Sequence, residues 1–401
     1  MGKLLERWRY GSGDEAGSRR DLRLDLLRGW CVVVMVVDHI GGRDSWLYAI
    51  TGGNRFFVSA AEGFVLISGI TMGIVYARVI AREGIRAAVE KVLRRVQLLY
   101  ALTVALTLVF AALSALLRSP WAREAAPGEP PEFLIGVVTL HRSYSLTDVL
   151  LLYTLLVLAA APVLALFARG RTAHALAVSW TLWALWQVAP ATAQLPWAIV
   201  DEGFPFPAWQ VIFVTGLAIG YHRGAVARRI AGLRALSIAV AATVASGAVV
   251  LAYVAGIVVP PSLHGEGTLG TVGQILFDKD DAAIGRLAVL TLVSIASYAV
   301  VTYVWRPIAL VAGRALLPLG QRALVAYSIH LFIVAASATA LAEPLRRAGG
   351  NAAVQLAGIA IVAVVLALVA DAASTLPRLR AIRPHLPIAR PAAVSLAALL
   401  F

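Results

Sequence analysis

The chain has a single cysteine, Cys31, and this alone removes two classes of protein: no internal disulfide can form, and no metal-ligand spacing surrounds it. Burial as a small apolar side chain suits it better than a role as a thioester-forming nucleophile. Charge is scarce as well, at 14% of 401 residues, against 60% hydrophobic residues and a mean hydropathy of +0.81. Ordinary soluble domains carry about 25% charged residues, so this composition excludes them. The first twenty residues lack an apolar core of signal-peptide type, and the N-terminus is therefore expected to stay in the cytoplasm. No internal repeat and no second soluble domain can be read.

What is present is a series of apolar segments, about ten of them, each near the roughly 20 residues that cross a bilayer core. They fall near 26–41, 58–80, 96–117, 147–168, 174–190, 208–221, 235–257, 285–305, 317–341 and 352–371. The expected fold is all-α: a polytopic integral membrane protein with about ten transmembrane helices. The net charge of +13 follows the same pattern. Arg19, Arg20 and Arg23 precede the first segment, and Arg78, Arg82, Arg86, Lys91, Arg94 and Arg95 follow the second. Arg169 and Arg171, then Arg228 and Arg229, then Arg306 and Arg314, and finally Arg378 and Arg380 continue the alternation. The intervening loops hold acids, as in Asp201-Glu202 and Asp278-Lys-Asp-Asp281. The positive-inside rule then places both termini in the cytoplasm and leaves nothing for nucleic acid to explain. This divides the chain into a basic cytoplasmic tail over 1–23, a membrane domain over 24–371 and a second basic cytoplasmic tail over 372–401. Gly69-Ile-Thr-Met-Gly73 is a GxxxG pattern and is expected to let two helices approach closely.

Chemistry is expected where ionisable groups enter apolar segments. Asp25, Arg28 and His39 share one helix face: the eleven steps from Arg28 to His39 come to about 1100°, within roughly 20° of three turns, and rise ~16 Å. Such groups seldom face lipid and mark a bundle interior or an aqueous cavity. The plainer alternative is an Asp25–Arg28 pair that anchors the helix end. An imidazole can take a proton from a hydroxyl and return it to a leaving group, so His39 is the expected general base. Asp38 beside it, or Glu62 in Ser59-Ala-Ala-Glu-Gly-Phe, is expected to orient the ring and stabilise its charged form. A salt bridge from Glu62 to Arg43 or Arg55 is the structural alternative.

These stretches carry a family resemblance. Arg23-Leu-Asp-Leu-Leu-Arg-Gly29, Asp38-His39 and Ala61-Glu-Gly-Phe-Val-Leu-Ile-Ser-Gly69 resemble the N-terminal signature of the OpgC family. Leu146-Thr-Asp-Val-Leu-Leu-Leu-Tyr153, Pro207-Ala-Trp-Gln-Val-Ile-Phe213 and Leu319-Gly-Gln-Arg-Ala-Leu-Val-Ala-Tyr-Ser-Ile-His330 follow in the same order. The resemblance implies a multi-span acyltransferase of the inner membrane, related to the wider transmembrane acyltransferase superfamily, whose OpgC members succinylate periplasmic glucans. It implies acyl-CoA, as succinyl-CoA or acetyl-CoA, as a co-substrate, with no permanently bound cofactor and no metal. The acceptor would be a periplasmic or cell-surface glycan, with membrane lipid around the protein. The Gln321-Arg322 pair departs from the small or hydroxyl residues expected after Leu-Gly, and loops 118–146 and 258–284 match no motif.

On that reading Asp25 and Arg28 belong to the donor site, where a guanidinium suits CoA phosphates, and His330 lies in the acyl channel unless it merely ties two helices. Asp148, Trp209 and Gln210 are expected to bind the acceptor, by stacking and hydrogen bonding, near Tyr153, Phe204, Asp201 and Glu202. Trp197 and Phe206 read as interface-belt residues. A multi-span transporter or flippase for a glycan or anionic small molecule is the competing function; transporters commonly carry repeats between halves, which this chain lacks.

Overall fold

The computed structural model describes residues 20–117, 130–144, 147–193, 204–230, 232–256, 273 and 275–382, and all of its regular structure there is helical. Trp197, Asp201, Glu202, both outer parts of the expected tails and the apolar segment 391–401 lie outside the described residues. The long helices are α1 Leu22–Ile40, α2 Ala60–Leu117, α3 Asp148–Ala168, α4 Thr172–Val188 and α5 Phe206–Tyr221. They continue with α6 Leu233–Val254, α7 Ile284–Tyr303, α8 Gly313–Gln321, α9 Ala323–Ser337 and α10 Glu343–Ile382.

Every apolar segment read from the sequence is helical, yet the helices differ from a row of simple spans. Among the described residues five are long and apolar enough to cross a membrane, or six if α8 and α9 form one bent span. One of the five, Ala60–Leu116, holds the second and third expected segments end to end. They part at Gly84, whose φ of 83° and ψ of 172° only glycine adopts without strain. Helices α4 and α5, at 17 and 16 residues, fall short of a full crossing by themselves. The ninth expected segment is not continuous: α8 and α9 meet at 99° across Arg322. Pro318 sits inside α8, and Arg322 leaves helical geometry at φ −121° and ψ 40°. In α10 the regular geometry lapses at Gly349 and Gly350.

The chain divides into two compact units, 1–54 with 297–401, and 55–296. In the first, α1 packs on α8, α9 and α10. The crossing with α8 is a backbone contact: a Cβ on Gly29 would meet Leu316 O at 2.0 Å, and one on Gly320 would meet Asp25 O at 1.7 Å. In the second unit, α2 packs on α5 and α3. The expected close approach at Gly69 and Gly73 is there, and α5 answers it with its own Gly216 and Gly220, which lie against Leu66 and Ile70. Hydroxyl pairs join α2 to the chain around α3: Thr103 with Thr154 at 3.3 Å, Thr107 with Thr147 at 3.1 Å, and Ser114 with Tyr144.

Candidate functional site

Helix α1 starts where the Asp21 carboxylate accepts from the Arg23 backbone N–H at 3.2 Å, an ordinary N-cap. The Arg23 guanidinium also holds both Asp21 oxygens at 2.9 Å, donates to Thr302 Oγ1 and lies over the Tyr298 ring. Arg23 therefore belongs to the framework. One turn on, Asp25 is 2% exposed and Arg28 9% exposed, on the face turned to α8. Arg20 pairs with the Asp25 carboxylate at 2.6 Å, whereas Arg28 Nη1 stands 3.9 Å from it. The expected Asp25–Arg28 anchor is thus mainly an Asp25–Arg20 pair. Cys31 is buried, as a packing residue should be.

At the far end of α1 the Asp38–His39 pair divides. The Asp38 carboxylate accepts from Thr51 Oγ1 at 2.9 Å and from the Asn54 backbone N–H at 3.0 Å. It thereby clamps the loop that carries the short helix Tyr48–Thr51. The Gln355 amide, fully buried, donates to Val37 O and Gly41 O and accepts from Ser45 Oγ at 2.6 Å, which closes the end of α1. His39 is half-buried, and its Nδ1 lies 2.9 Å from Nε2 of His330 on α9. His330 is 1% exposed, and its Nδ1 donates to Tyr327 O at 2.5 Å. The group expected in the acyl channel thus sits against the expected base, and Nδ1 of His39 faces another imidazole.

In the unit 55–296, Glu62 is 1% exposed and accepts from the Ser59 backbone N–H at 2.7 Å and from the Ser59 hydroxyl. Ser59-x-x-Glu62 has the spacing of a capping box, and the Glu62 carboxylate fills its half of it at the Ser59 N–H. The other carboxylate oxygen takes the Arg286 guanidinium, Nε at 2.7 Å and Nη2 at 2.5 Å. Arg286, rather than Arg43 or Arg55, is the ionic partner, and its signal was a lone charge at the head of an apolar segment.

The three acceptor-side residues have different surroundings. Asp148 is half-buried at the start of α3 and accepts from the Val149 N–H. Trp209 is wholly buried against Phe204, with its indole N–H donating to Asp280 O at 2.9 Å, so the ring offers a sugar no open face. Gln210 ties α5 to α4 by accepting from Ser179 Oγ at 2.6 Å and donating to Ser179 O at 2.8 Å. Trp183, Trp186 and Gln187 join Trp209 in gripping the acidic loop, through Ala282 O, Asp281 Oδ1 and Asp281 O. Sequence reasoning missed this grip because its partners, three backbone oxygens and the Asp281 carboxylate, lie about 70 to 100 residues away. Burial, with Asp278 next, holds the Asp280 carboxyl above the usual carboxylate range.

An all-helical membrane protein with ionisable groups on the buried face of its first helix is the class these features define. The chain belongs to the OpgC family: residues 20–375 match the family described as OpgC protein. That membership implies an acyltransferase at the level of the family. No curated protein sequence and no solved structure matches the chain.

Proposed function

We propose that the chain is a membrane O-acyltransferase that moves a succinyl or acetyl group from cytoplasmic acyl-CoA to a hydroxyl of an extracytoplasmic glycan. The arrangement would be ten passes through the inner membrane with both termini cytoplasmic. The observation that carries this reading is α1 itself, in a chain of this family: Asp25 and Arg28 turn inward near one end, and His39 is held by a buried imidazole near the other.

In the proposed reaction His39 takes the proton of the acceptor hydroxyl as that oxygen attacks the thioester carbonyl. The new C–O bond forms, the C–S bond breaks, and the proton passes to the departing thiolate, giving an ester and free CoA. Arg28 pairs with CoA phosphates, ~16 Å along the helix from His39 at 1.5 Å per residue. Glu62 serves by fixing the start of α2, and Trp209 and Gln210 by holding the frame of the acceptor side, where Asp148 is the most open of the three. Purified protein given radiolabelled succinyl-CoA or acetyl-CoA and a mixture of glycans should transfer label to glycan. Label that stays on CoA or goes only to water with every donor would sink the reading. The break between α8 and α9 favours a transporter, whose substrate sites often lie at interrupted helices. Glycan uptake into proteoliposomes without acyl transfer would select that function instead.

A further inference from the structure

We propose that His330 is the positioning residue of this site: it fixes the tautomer of His39, so that the proton sits on Nδ1 and the basic lone pair on Nε2. The inference rests on the reading of His39 as general base, and it replaces the donor-site role that the sequence assigned to His330.

Tyr327 O can only accept, so His330 Nδ1, 2.5 Å from it, must carry a proton. The two neighbours of the His330 ring nitrogens are a carbonyl and an imidazole, neither of them an anion, and the side chain is 1% exposed. A charged ring is costly in such surroundings, so the neutral form suits the place. A neutral His330 that donates through Nδ1 has only a lone pair on Nε2. His39 Nδ1, 2.9 Å from that lone pair, must then be the donor, and the remaining lone pair of the His39 ring is on Nε2. When Nε2 takes the acceptor's proton, the Nδ1 proton stays in its bond to His330, and the ring keeps its orientation through both proton transfers. Hydrolytic triads assign this task to a carboxylate. Here a second imidazole performs it and brings no net charge into the membrane interior. The Tyr327 ring, 4.7 Å from that of His330, packs against this second imidazole.

Two amides separate this role from plain packing. Glutamine at 330 reaches about as far as Nε2 and can present its carbonyl oxygen to His39 Nδ1–H. Asparagine reaches only the Nδ1 position, so it can keep the bond to Tyr327 O but gives His39 nothing. At matched folded concentration, His330→Asn and His330→Leu should lose at least about tenfold in kcat with the KM for acyl-CoA unchanged, whereas His330→Gln should recover most of the rate. Equal rates for the Asn and Gln variants, or a loss that falls on the KM for acyl-CoA, would overturn the assignment. Nitrogen-15 spectra of the wild-type protein labelled at its seven histidines, with His39→Gln used to assign the signal, read the tautomer without any turnover. A protonated Nδ1 and a bare Nε2 on His39 are expected, and the reverse refutes the proposal. Because the spectrum needs no substrate, a wild-type protein that transfers nothing would count against the enzymatic reading alone.

Discussion

In the unit 55–296, Glu62, Gln210, Thr103 and Thr107 each reach a named partner within the unit, and the helices that carry them meet backbone to backbone at four glycines. The unit built from 1–54 and 297–401 holds Gln355 and Arg23 in the same way, but two of its candidate-site groups differ. Its Asp25 leans on an arginine that is 53% exposed, and its His39 is half-buried against a neutral-type partner. Buried polar groups that are fully satisfied hold a structure together. Ionisable groups placed at the margin of burial are the ones that can change protonation or meet a ligand. On the proposed reading the unit 55–296 is scaffold and the unit 1–54 with 297–401 carries the chemistry, although the sequence divided the site residues between both.

The largest expected effect tests the chemical side. His39→Ala should insert and fold as the wild type does and lose about 10²–10⁴-fold in kcat. Near-normal transfer by this variant would move the base elsewhere. Next comes the scaffold: Arg286→Met strands the Glu62 carboxylate in a buried place, which should cost roughly 3–5 kcal/mol, seen as a lower Tm in detergent. The double variant Glu62→Met with Arg286→Met should recover part of that loss. Glu62→Gln should likewise alter Tm and spare kcat per folded molecule; a selective loss of turnover would erase the distinction between the units.

Gly320→Ala follows, because its methyl would lie 1.7 Å from Asp25 O and must push α8 from α1. About 1–3 kcal/mol of destabilisation is expected from such overpacking. Arg28→Ala should raise the KM for acyl-CoA about tenfold, equivalent to 1.4 kcal/mol, and leave acceptor use alone. An unchanged affinity for acyl-CoA would take Arg28 out of the donor site. Smallest is a pH effect at Asp280. Its folded pKa is raised, so the fold favours the protonated form; that contribution is whole below the ordinary carboxylate value and fades as pH rises through the raised one. Asp280→Asn should therefore flatten Tm against pH across that interval, and an unchanged slope would show that the loop imposes no such preference.

The helices were legible because apolar length alone specifies them, and the GxxxG pattern at Gly69 announced a close crossing that the structure contains. The Ser59-x-x-Glu62 spacing at the start of α2 was equally readable. What sequence could not supply was pairing over distance. His39 and His330 are 291 positions apart, and Glu62 and Arg286 are 224 apart, with nothing in either local pattern to join them. The bend between α8 and α9 had its signs in Pro318 and Gly320, but apolar length outweighed them. Trp209 shows why such a reading is open from sequence: an aromatic ring near an acidic loop suits stacking a sugar or gripping the loop backbone, and its burial against that loop is a fact of the fold alone.

The discontinuous unit also sets an order of events during synthesis. Helix α1 is made first, but α8, α9 and α10, against which it packs, follow only after residue 312. At 5–20 residues per second, the ribosome needs on the order of tens of seconds to cover that interval. Throughout it, the face of α1 that bears Asp25 and Arg28 is without the helices that will later cover it, whereas Arg23 and Asp38 already have Asp21, Thr51 and Asn54 beside them. Completion of this face therefore waits for the last three long helices of the chain.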